Sequence, residues 1–476
     1  MKMYETLARE LEQHVMSGML KAGDKVPSVR QLSQQRDISI TTVLKAYSLL
    51  ESRGVIESRP QSGYFVRKAT LAGHAAAMPA PMPPTLRPHP VASNVEISQL
   101  VLRTLKTISR HDAVPLGSPY PDPTPFPLVR LSHLANNIAK KSSGWGVLND
   151  LPPGNIDLIR QIAGRYFLNG LLVDPAEVII TVGATEALNL CLQAAARPGD
   201  TIAVESPTYY AILHAIERMG MRAIEIPTSG TSGMDVDYLE SILESDNIAA
   251  CMVMPNFHNP LGIVMPEANK KKLVEIMTRA KKPIIENAVY NELYYSDTPP
   301  SSLKQYDTEG YVLHCSSFSK TLSSAFRIGW AMPGRYREKV ENLKFVNTLS
   351  TSAIPQMAIA EYLSQGGYDQ HLRKIRKFYQ QQAKIITHVV RRFFPEACII
   401  SEPAGGYLLW VQLPPHIDAM RLYNEALERK ITIGPGTIFS NTGKFRNCIR
   451  LNYSYSWSKE IESAIVTLGK IISHYK

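Results

Sequence analysis

The stretch SSFSKTLSSAFRIGW, residues 316–330, sets one lysine, Lys320, among five serines and places an arginine, Arg327, seven residues later. Hydroxyls around an amine make a poor place to hide a lysine, but hydroxyls and a guanidinium together make a good cradle for a phosphate. Cationic and apolar neighbours lower the pKa of a lysine, leaving a neutral amine ready to act as a nucleophile. The chemistry to look for is therefore an amine paired with a phosphorylated electrophile.

Other polar residues stand at comparable places. TVGATEALNL (181–190) reads as a strand, a glycine turn and a helix, whose first turn offers free N–H groups at Gly183, Ala184 and Thr185 to an anion. ESPTYY puts Tyr209 just after a proline-stiffened turn, NFHNPLG supplies Asn256 and Asn259, and ENAVYNELYY supplies Asn287 and Tyr290. CIRLNYS carries Arg450, whose planar fork suits a carboxylate.

The elements that must position these residues follow from the apolar runs. EVIITV (177–182), TIAVE (201–205), AACMVM (249–254), PIIEN (283–287) and YVLHCSS (311–317) are short strands separated by helical stretches. Such an order implies a mainly parallel sheet covered on both faces, with ligands bound beyond the carboxyl ends of its strands. The polar residues cluster just after those ends.

Together these stretches resemble the fold type I pyridoxal phosphate (PLP) proteins, the aspartate aminotransferase-like superfamily, over roughly residues 96–476. The resemblance implies an α/β body with a mainly parallel seven-stranded sheet and a small C-terminal α/β subdomain from about residue 346. It implies that Lys320 forms a Schiff base with pyridoxal 5'-phosphate. Ser317, Ser319, Arg327, the Ala184 and Thr185 amides and the Thr185 hydroxyl would hold the phosphate. Tyr209 would stack on the ring, Asn259 and Tyr290 would bond the ring oxygen, and Arg450 would grip the carboxylate of an amino-acid ligand.

Two positions depart from working aminotransferases. Where those enzymes set an aspartate against the pyridine nitrogen, three residues before the tyrosine, this chain has Asn287. A neutral amide stabilises a protonated ring less than a carboxylate does, and strand alternation should turn the adjacent Glu286 to the opposite face. Asn149, before Gly154, stands where relatives often have a tyrosine reaching the neighbouring subunit's phosphate. Both changes keep polar contacts while weakening catalysis.

The first 70 residues read differently. Tyr4–Met16 is an amphipathic helix with Leu7, Leu11 and Val15 inward; Ser28 and Ser39 cap two short helices with Val29, Leu32, Val43, Ala46, Tyr47 and Leu50 inward. VIESRPQSGYFV then makes two strands about a Gln61-Ser62-Gly63 turn. The blocks VPSVRQL, AYSLLESRGVI and SGYFV resemble the winged helix-turn-helix domain of GntR-family transcription factors. By that resemblance Ser28, Arg30, Thr41, Thr42 and Lys45 face a double-stranded DNA operator and Gly63 shapes the wing tip. Ile40 occupies a position where the family often has arginine.

Residues 70–95, rich in alanine and proline, form a linker, so the chain divides into a head (1–69), the linker and the body (96–476). The net charge of +10 permits a nucleic-acid partner, and the five scattered cysteines read as buried free thiols rather than as a disulfide or metal framework. The absence of a secretory leader or membrane span points to the cytoplasm. The KKK run at 270–272 and the basic segment at 373–378 read as ordinary helix faces, and His258 as a polar neighbour of the site.

Head and body together resemble the MocR subgroup of GntR-like regulators. The resemblance implies a regulator, homodimeric and head-to-tail, that responds to PLP or to an amino-acid or amine effector. A true PLP-dependent aminotransferase (transaminase) carrying a DNA-binding head is the alternative.

Overall fold

A computed structural model describes residues 3–16, 24–36, 38–52, 55–59, 63–66, 92–108, 112–141 and 151–475 of the chain. Its contacts divide it into two units, Met1–Pro88 and His89–Lys476. Most of the expected linker and Asn149 lie outside the described residues, as do the side chains of Val15 and Arg30.

The smaller unit comprises α1 (Met3–Met16), α2 (Val29–Arg36), α3 (Ile40–Ser52) and the antiparallel pair β1 (Ile56–Arg59) and β2 (Gly63–Val66). Leu7, Leu11, Leu32, Val43, Ala46, Tyr47, Leu50, Ile56 and Val66 form its core. The expected caps are present: Ser28 Oγ accepts from Gln31 N at 3.2 Å, and Ser39 Oγ from Thr42 N at 3.1 Å. Gly63 opens β2 at φ +98°, a conformation open to glycine without strain.

The larger unit begins with β3 (Ser93–Asn94), α4 (Ser98–Ile108), α5 (Leu128–Lys141) and α6 (Ile156–Leu168). Then strands and helices alternate: β4 (Ile179–Thr181), α7 (Gly183–Ala195), β5 (Thr201–Ser206), α8 (Tyr210–Arg218), β6 (Arg222–Ser229), β7 (Gly233–Met234), α9 (Val236–Ile242), β8 (Ile248–Val253), α10 (Glu267–Arg279) and β9 (Ile284–Asn287). β10 (Val312–Ser317) and β11 (Gly329–Met332) complete the sheet. Its strand order is β3-β6-β5-β8-β9-β10-β11-β4, with β7 hung on β6. The seven expected strands are its centre, and the two-residue β3 and β7 raise the count to nine. β11 is the single reversed strand of the central seven, antiparallel to both β10 and β4.

Both faces are covered, as short apolar strands require. On β10, Leu313 and Cys315 pack with α7 and α8, while Val312 packs with α9 and α10. Helices α11 (Arg337–Thr348), α12 (Ala353–Ser364) and α13 (Gly367–Phe393) lead to the second sheet. That sheet is antiparallel, in the order β12-β13-β15-β14, and is built from β12 (Ile399–Ile400), β13 (Leu408–Gln412), β14 (Gly434–Pro435) and β15 (Cys448–Asn452). α14 (Ala419–Glu428) and α15 (Lys459–His474) cover it.

Two readings need correction. The linker does not extend to residue 95: Ser93–Asn94 already pairs with β6, and Val95 is buried. The KKK run is not a solvated face. Lys270 is buried, and its Nζ donates to Asn256 Oδ1 (2.7 Å) and to the Ser301 carbonyl (2.8 Å). Three consecutive helical positions span too wide an arc to share one face, and Lys270 lies on the inner side.

In the smaller unit the buried Tyr47 donates its hydroxyl to the Pro27 carbonyl at 2.6 Å, tying α3 to the turn before α2. Tyr47→Phe should cost this unit about 1 kcal/mol. Hydrogen exchange of the α3 amides in mild urea would measure it. Unchanged protection would mean that the bond contributes nothing net.

Candidate functional site

Five strand ends supply the site. β4 ends at Thr181, two residues before α7 opens at Gly183; β5 leads to Tyr209, β8 to Asn259, β9 to Tyr290 and β10 to Lys320. Because the parallel strands share a direction, these residues gather at one edge of the sheet.

At the start of α7 no side chain among the described residues caps the first free N–H groups. Arg327 lies directly over that start: a Cβ on Gly183 would come within 2.5 Å of Arg327 Nη2. The same arginine donates to Ser319 Oγ at 3.1 Å, and its own backbone is held at φ +53°, an unusual strain for a side chain of this size. β11 presses equally close, since a Cβ on Gly329 would lie 2.4 Å from the Gly183 carbonyl carbon. Amide N–H groups, two serine hydroxyls (Ser317, Ser319) and a guanidinium thus converge on one small space.

Lys320 is partly buried, and its Nζ donates to the Pro119 carbonyl at 2.9 Å and lies 4.7 Å from the Tyr120 ring centre. Burial, with the Arg450 and Arg327 guanidiniums adding repulsion, brings its pKa down to about 7. Arg450 is fully buried. Its Nη2 donates to the Gly117 carbonyl at 2.7 Å, its Nη1 reaches Asn259 Oδ1 at 3.4 Å, and its Nε has no partner among the described residues. Among the described residues none of these three cations meets a carboxylate.

Aromatic hydroxyls line the rest. Tyr290 Oη donates to Tyr407 Oη at 3.4 Å, and Tyr407 Oη to the Pro119 carbonyl at 3.0 Å. Burial raises the pKa of Tyr209 and of Tyr290, which keeps both as neutral phenols. Asn287 is buried at the end of β9.

Glu286 faces the other way, as strand alternation dictates. Its carboxylate bonds Ser302 Oγ (2.7 Å), the Leu303 amide (3.0 Å) and His314 Nδ1 (2.8 Å). Burial opposes its ionisation, but His314 and these donors outweigh that and hold its pKa below the usual carboxylate range. His258 is buried within the turn after β8: its Nδ1 accepts from Leu261 N, and its Nε2 faces Glu205 at 3.3 Å.

Sequence reasoning missed the loop Gly117–Tyr120 and Tyr407, which together close the site over Lys320 and Arg450. The loop sits some two hundred residues before Lys320, and its GSPY text reads only as a turn. A close-approach signal existed in Gly117, where a Cβ would lie 2.6 Å from the Ile433 backbone. In the smaller unit, Ser28, Thr41, Lys45 and Gly63 are exposed and Thr42 is half-buried. The Thr41 and Thr42 hydroxyls both turn back onto Ser39 Oγ. Arg30 has its backbone in α2.

Comparison with known proteins places both units. The family "Aminotransferase class I and II" matches residues 136–468, and "Bacterial regulatory proteins, gntR family" matches residues 3–66. The chain is 38% identical to the uncharacterized HTH-type transcriptional regulator YdcR of Escherichia coli (strain K12) over 473 residues, 99% of each protein. It is 37% identical to a second such regulator of that organism, YjiR, again over 99% of each. Among solved structures, Pyrococcus horikoshii kynurenine aminotransferase, in complex with PMP, aligns at TM-score 0.73 and 29% identity, covering 79% of this chain and 94% of that one.

The Lys320 environment gives a direct test. Competitive acylation of the protein at increasing pH, read by peptide mass spectrometry, should give Lys320 a reactivity midpoint of about 7. A midpoint in the range of ordinary lysines would contradict the crowded, dry environment described here.

Proposed function

The chain belongs to the MocR-type regulators, in which a GntR-family head is joined to an aminotransferase class I and II body, and from that premise we propose a DNA-binding transcription regulator whose body holds pyridoxal 5'-phosphate at Lys320 and reads an amino acid or amine. One observation carries the reading. Among the described residues, Lys320, Arg327 and Arg450 share one strand-end site with no carboxylate partner, and the Arg450 Nε is buried without an acceptor. Buried cations left unpaired are costly, so the site is built for anions supplied from outside.

Pyridoxal phosphate supplies an aldehyde that can be joined to an amine and, with its ring nitrogen protonated, a sink for electrons. Lys320 Nζ, largely neutral above pH 7, is the attachment point. Ser317, Ser319, Arg327 and the α7 start (Ala184, Thr185) hold the phosphate, Tyr209 covers the ring, and Asn259 and Tyr290 serve its oxygen. Arg450 takes the carboxylate of an amino-acid effector. Asn287 meets the ring nitrogen with a neutral amide, and Glu286 is committed to His314 and Ser302 on the far face. That disposition favours binding and exchange over carbanion chemistry, and so a sensor over an efficient transaminase.

In the head, α3 is the element for the major groove, with Ser28, Arg30, Thr41, Thr42 and Lys45 toward the DNA and Gly63 at the wing tip. Ile40, about half exposed at 49%, offers apolar contact suited to a thymine methyl rather than a charged readout. A homodimer, each head reading one half-site, completes the proposal.

Titration of the protein with pyridoxal phosphate should produce a visible absorption band in wild type and none in Lys320→Ala. Silence in both would replace this reading with a body that serves only as scaffold. Asn287→Asp should then accelerate single-turnover amino transfer by at least about tenfold, the effect of some 1.4 kcal/mol on the barrier. An unchanged rate, or steady turnover already present in wild type, would remove Asn287 as the reason for sensing.

A further inference from the structure

The larger unit holds a second concave space, bounded by α6, the connection from β9 to β10, and the strands β10 and β11. Its inner part is a chamber of about 60 Å³ lined by Ile162, Leu171, Val289, Phe318 and Trp330. One water needs roughly 10–15 Å³, so the chamber has room for about one six-membered ring. Its lining includes none of Lys320, Asn287, Tyr290, Arg327 and Arg450, and Ser317 alone of the proposed cofactor residues reaches its wall.

Most polar groups of this lining are engaged. Tyr166 Oη accepts from Trp330 Nε1 at 3.1 Å and meets His314 Nε2 at 2.7 Å. Ser302 Oγ donates to Glu286 at 2.7 Å, and Ser316 Oγ to the Ala288 carbonyl at 3.3 Å. Asn291 Oδ1 differs: it is buried with no hydrogen-bond partner among the described residues. A buried acceptor left unsatisfied is costly, and a donor on an occupant would satisfy it.

The chamber adjoins a vestibule of about 500 Å³, since Arg165, Asn169 and Tyr294 line both. The vestibule lies against α13, which supplies the half-buried Arg376. Its Nε donates to the Glu292 carbonyl at 2.6 Å, and its guanidinium lies 3.6 Å from the Tyr294 ring centre. Burial lowers its pKa, and among the described residues it forms no ion pair. With Nε engaged and one face against the ring, its two terminal nitrogens remain for an anion. The charged residues lining the two spaces are Arg165, Arg373, Arg376 and Lys377 against Glu292, Asp297 and Asp369, four positive and three negative, a surplus of one.

We propose that chamber and vestibule together form a second small-molecule site, which takes a monocyclic aromatic carboxylate bearing an O–H or N–H donor on its ring. The apolar chamber selects a single ring, Asn291 selects the donor, and the surplus of one charge selects a monoanion. Arg376 selects a planar carboxylate, which its fork can grip at two points. Ser317 and Phe318 wall the chamber and lead directly to Lys320, so an occupant bears on the strand end that carries the amine. The inference does not require a cofactor at Lys320.

Isothermal titration calorimetry of the full chain, comparing benzoate with 3- and 4-hydroxybenzoate, tests the site. At least one hydroxybenzoate should bind about threefold to tenfold more tightly than benzoate, the effect of one hydrogen bond. Asn291→Leu should abolish that preference while keeping the affinity for benzoate. Arg376→Gln should weaken all three probes by about tenfold or more, and Arg376→Lys, which keeps the charge without the fork, by less. Thermal melting followed by circular dichroism verifies that each variant is folded. A carboxylate could also engage Arg450, so Arg450→Ala is measured alongside and should leave hydroxybenzoate affinity unchanged. Binding lost in Arg450→Ala but retained in Arg376→Gln would assign the probe to the Lys320 site and overturn the proposal. Absence of binding to wild type would overturn it equally, as would a hydroxyl preference that persists in Asn291→Leu.

Discussion

The body is organised around three cations that folding alone would keep apart. Lys320, Arg327 and Arg450 converge at the strand ends, and no carboxylate among the described residues neutralises any of them. Each accommodates the repulsion differently. Lys320 has its pKa lowered to about 7 and can release its proton. An arginine cannot do so, and instead Arg450 spends two of its nitrogens on the Gly117 carbonyl and Asn259 and leaves the third unpaired. Arg327 accepts a strained backbone in order to lie over the start of α7. A ligand bearing a phosphate, a carboxylate or both would relieve all three, and binding to the folded state alone would stabilise it in proportion.

Strand alternation decides what that ligand can do. The period of two places Asn287 at the site and Glu286 on the opposite face, where the carboxylate is saturated by Ser302, Leu303 N and His314. On the proposed reading, one residue of register separates a neutral from a charged partner for the cofactor's ring nitrogen. Nothing short of slipping β9 against β8 and β10 would exchange them, because both neighbours fix its register through Cys251↔Ile284 and Cys315↔Asn287. On the proposed reading, the sheet that positions the candidate cofactor residues therefore also sets the limit on carbanion chemistry.

Much of this was legible in the residues, and the boundary of legibility is physical. Fully apolar strands, turn-linked helices and polar residues just beyond strand ends are local patterns, so five of the central seven strands, the opposite facing of Glu286 and the inward faces of α2 and α3 could be read directly, while β6 and β11 were not. The covers of the site could not. Pro119 and Tyr120 reach Lys320 across about 200 positions of chain, Tyr407 joins them through the Pro119 carbonyl, and their spacing carries no period. Lys270 was misread for a related reason: a charge run suggests solvent, and only the partners Asn256, just after β8, and Ser301, in the long connection from β9 to β10, make its burial tolerable.

The covering loop is also where occupancy of the site would be felt. Lys320 Nζ donates to the Pro119 carbonyl and Arg450 Nη2 to the Gly117 carbonyl, so two of the groups assigned to ligand now tether residues 117–119. A ligand that claims both donors withdraws both tethers at once. Other ties persist: Tyr407 to Pro119, Asn452 to the Ser118 and Tyr120 carbonyls, and Gly117 N to Thr432. The loop would loosen or shift rather than detach. An effector acts at a distance only through an element whose contacts differ between bound and free states. A ligand that engages Lys320 but not Arg450 would release one tether, and one that engages both would release two. On the proposed reading, this gives an amine and an amino acid different effects on the same loop.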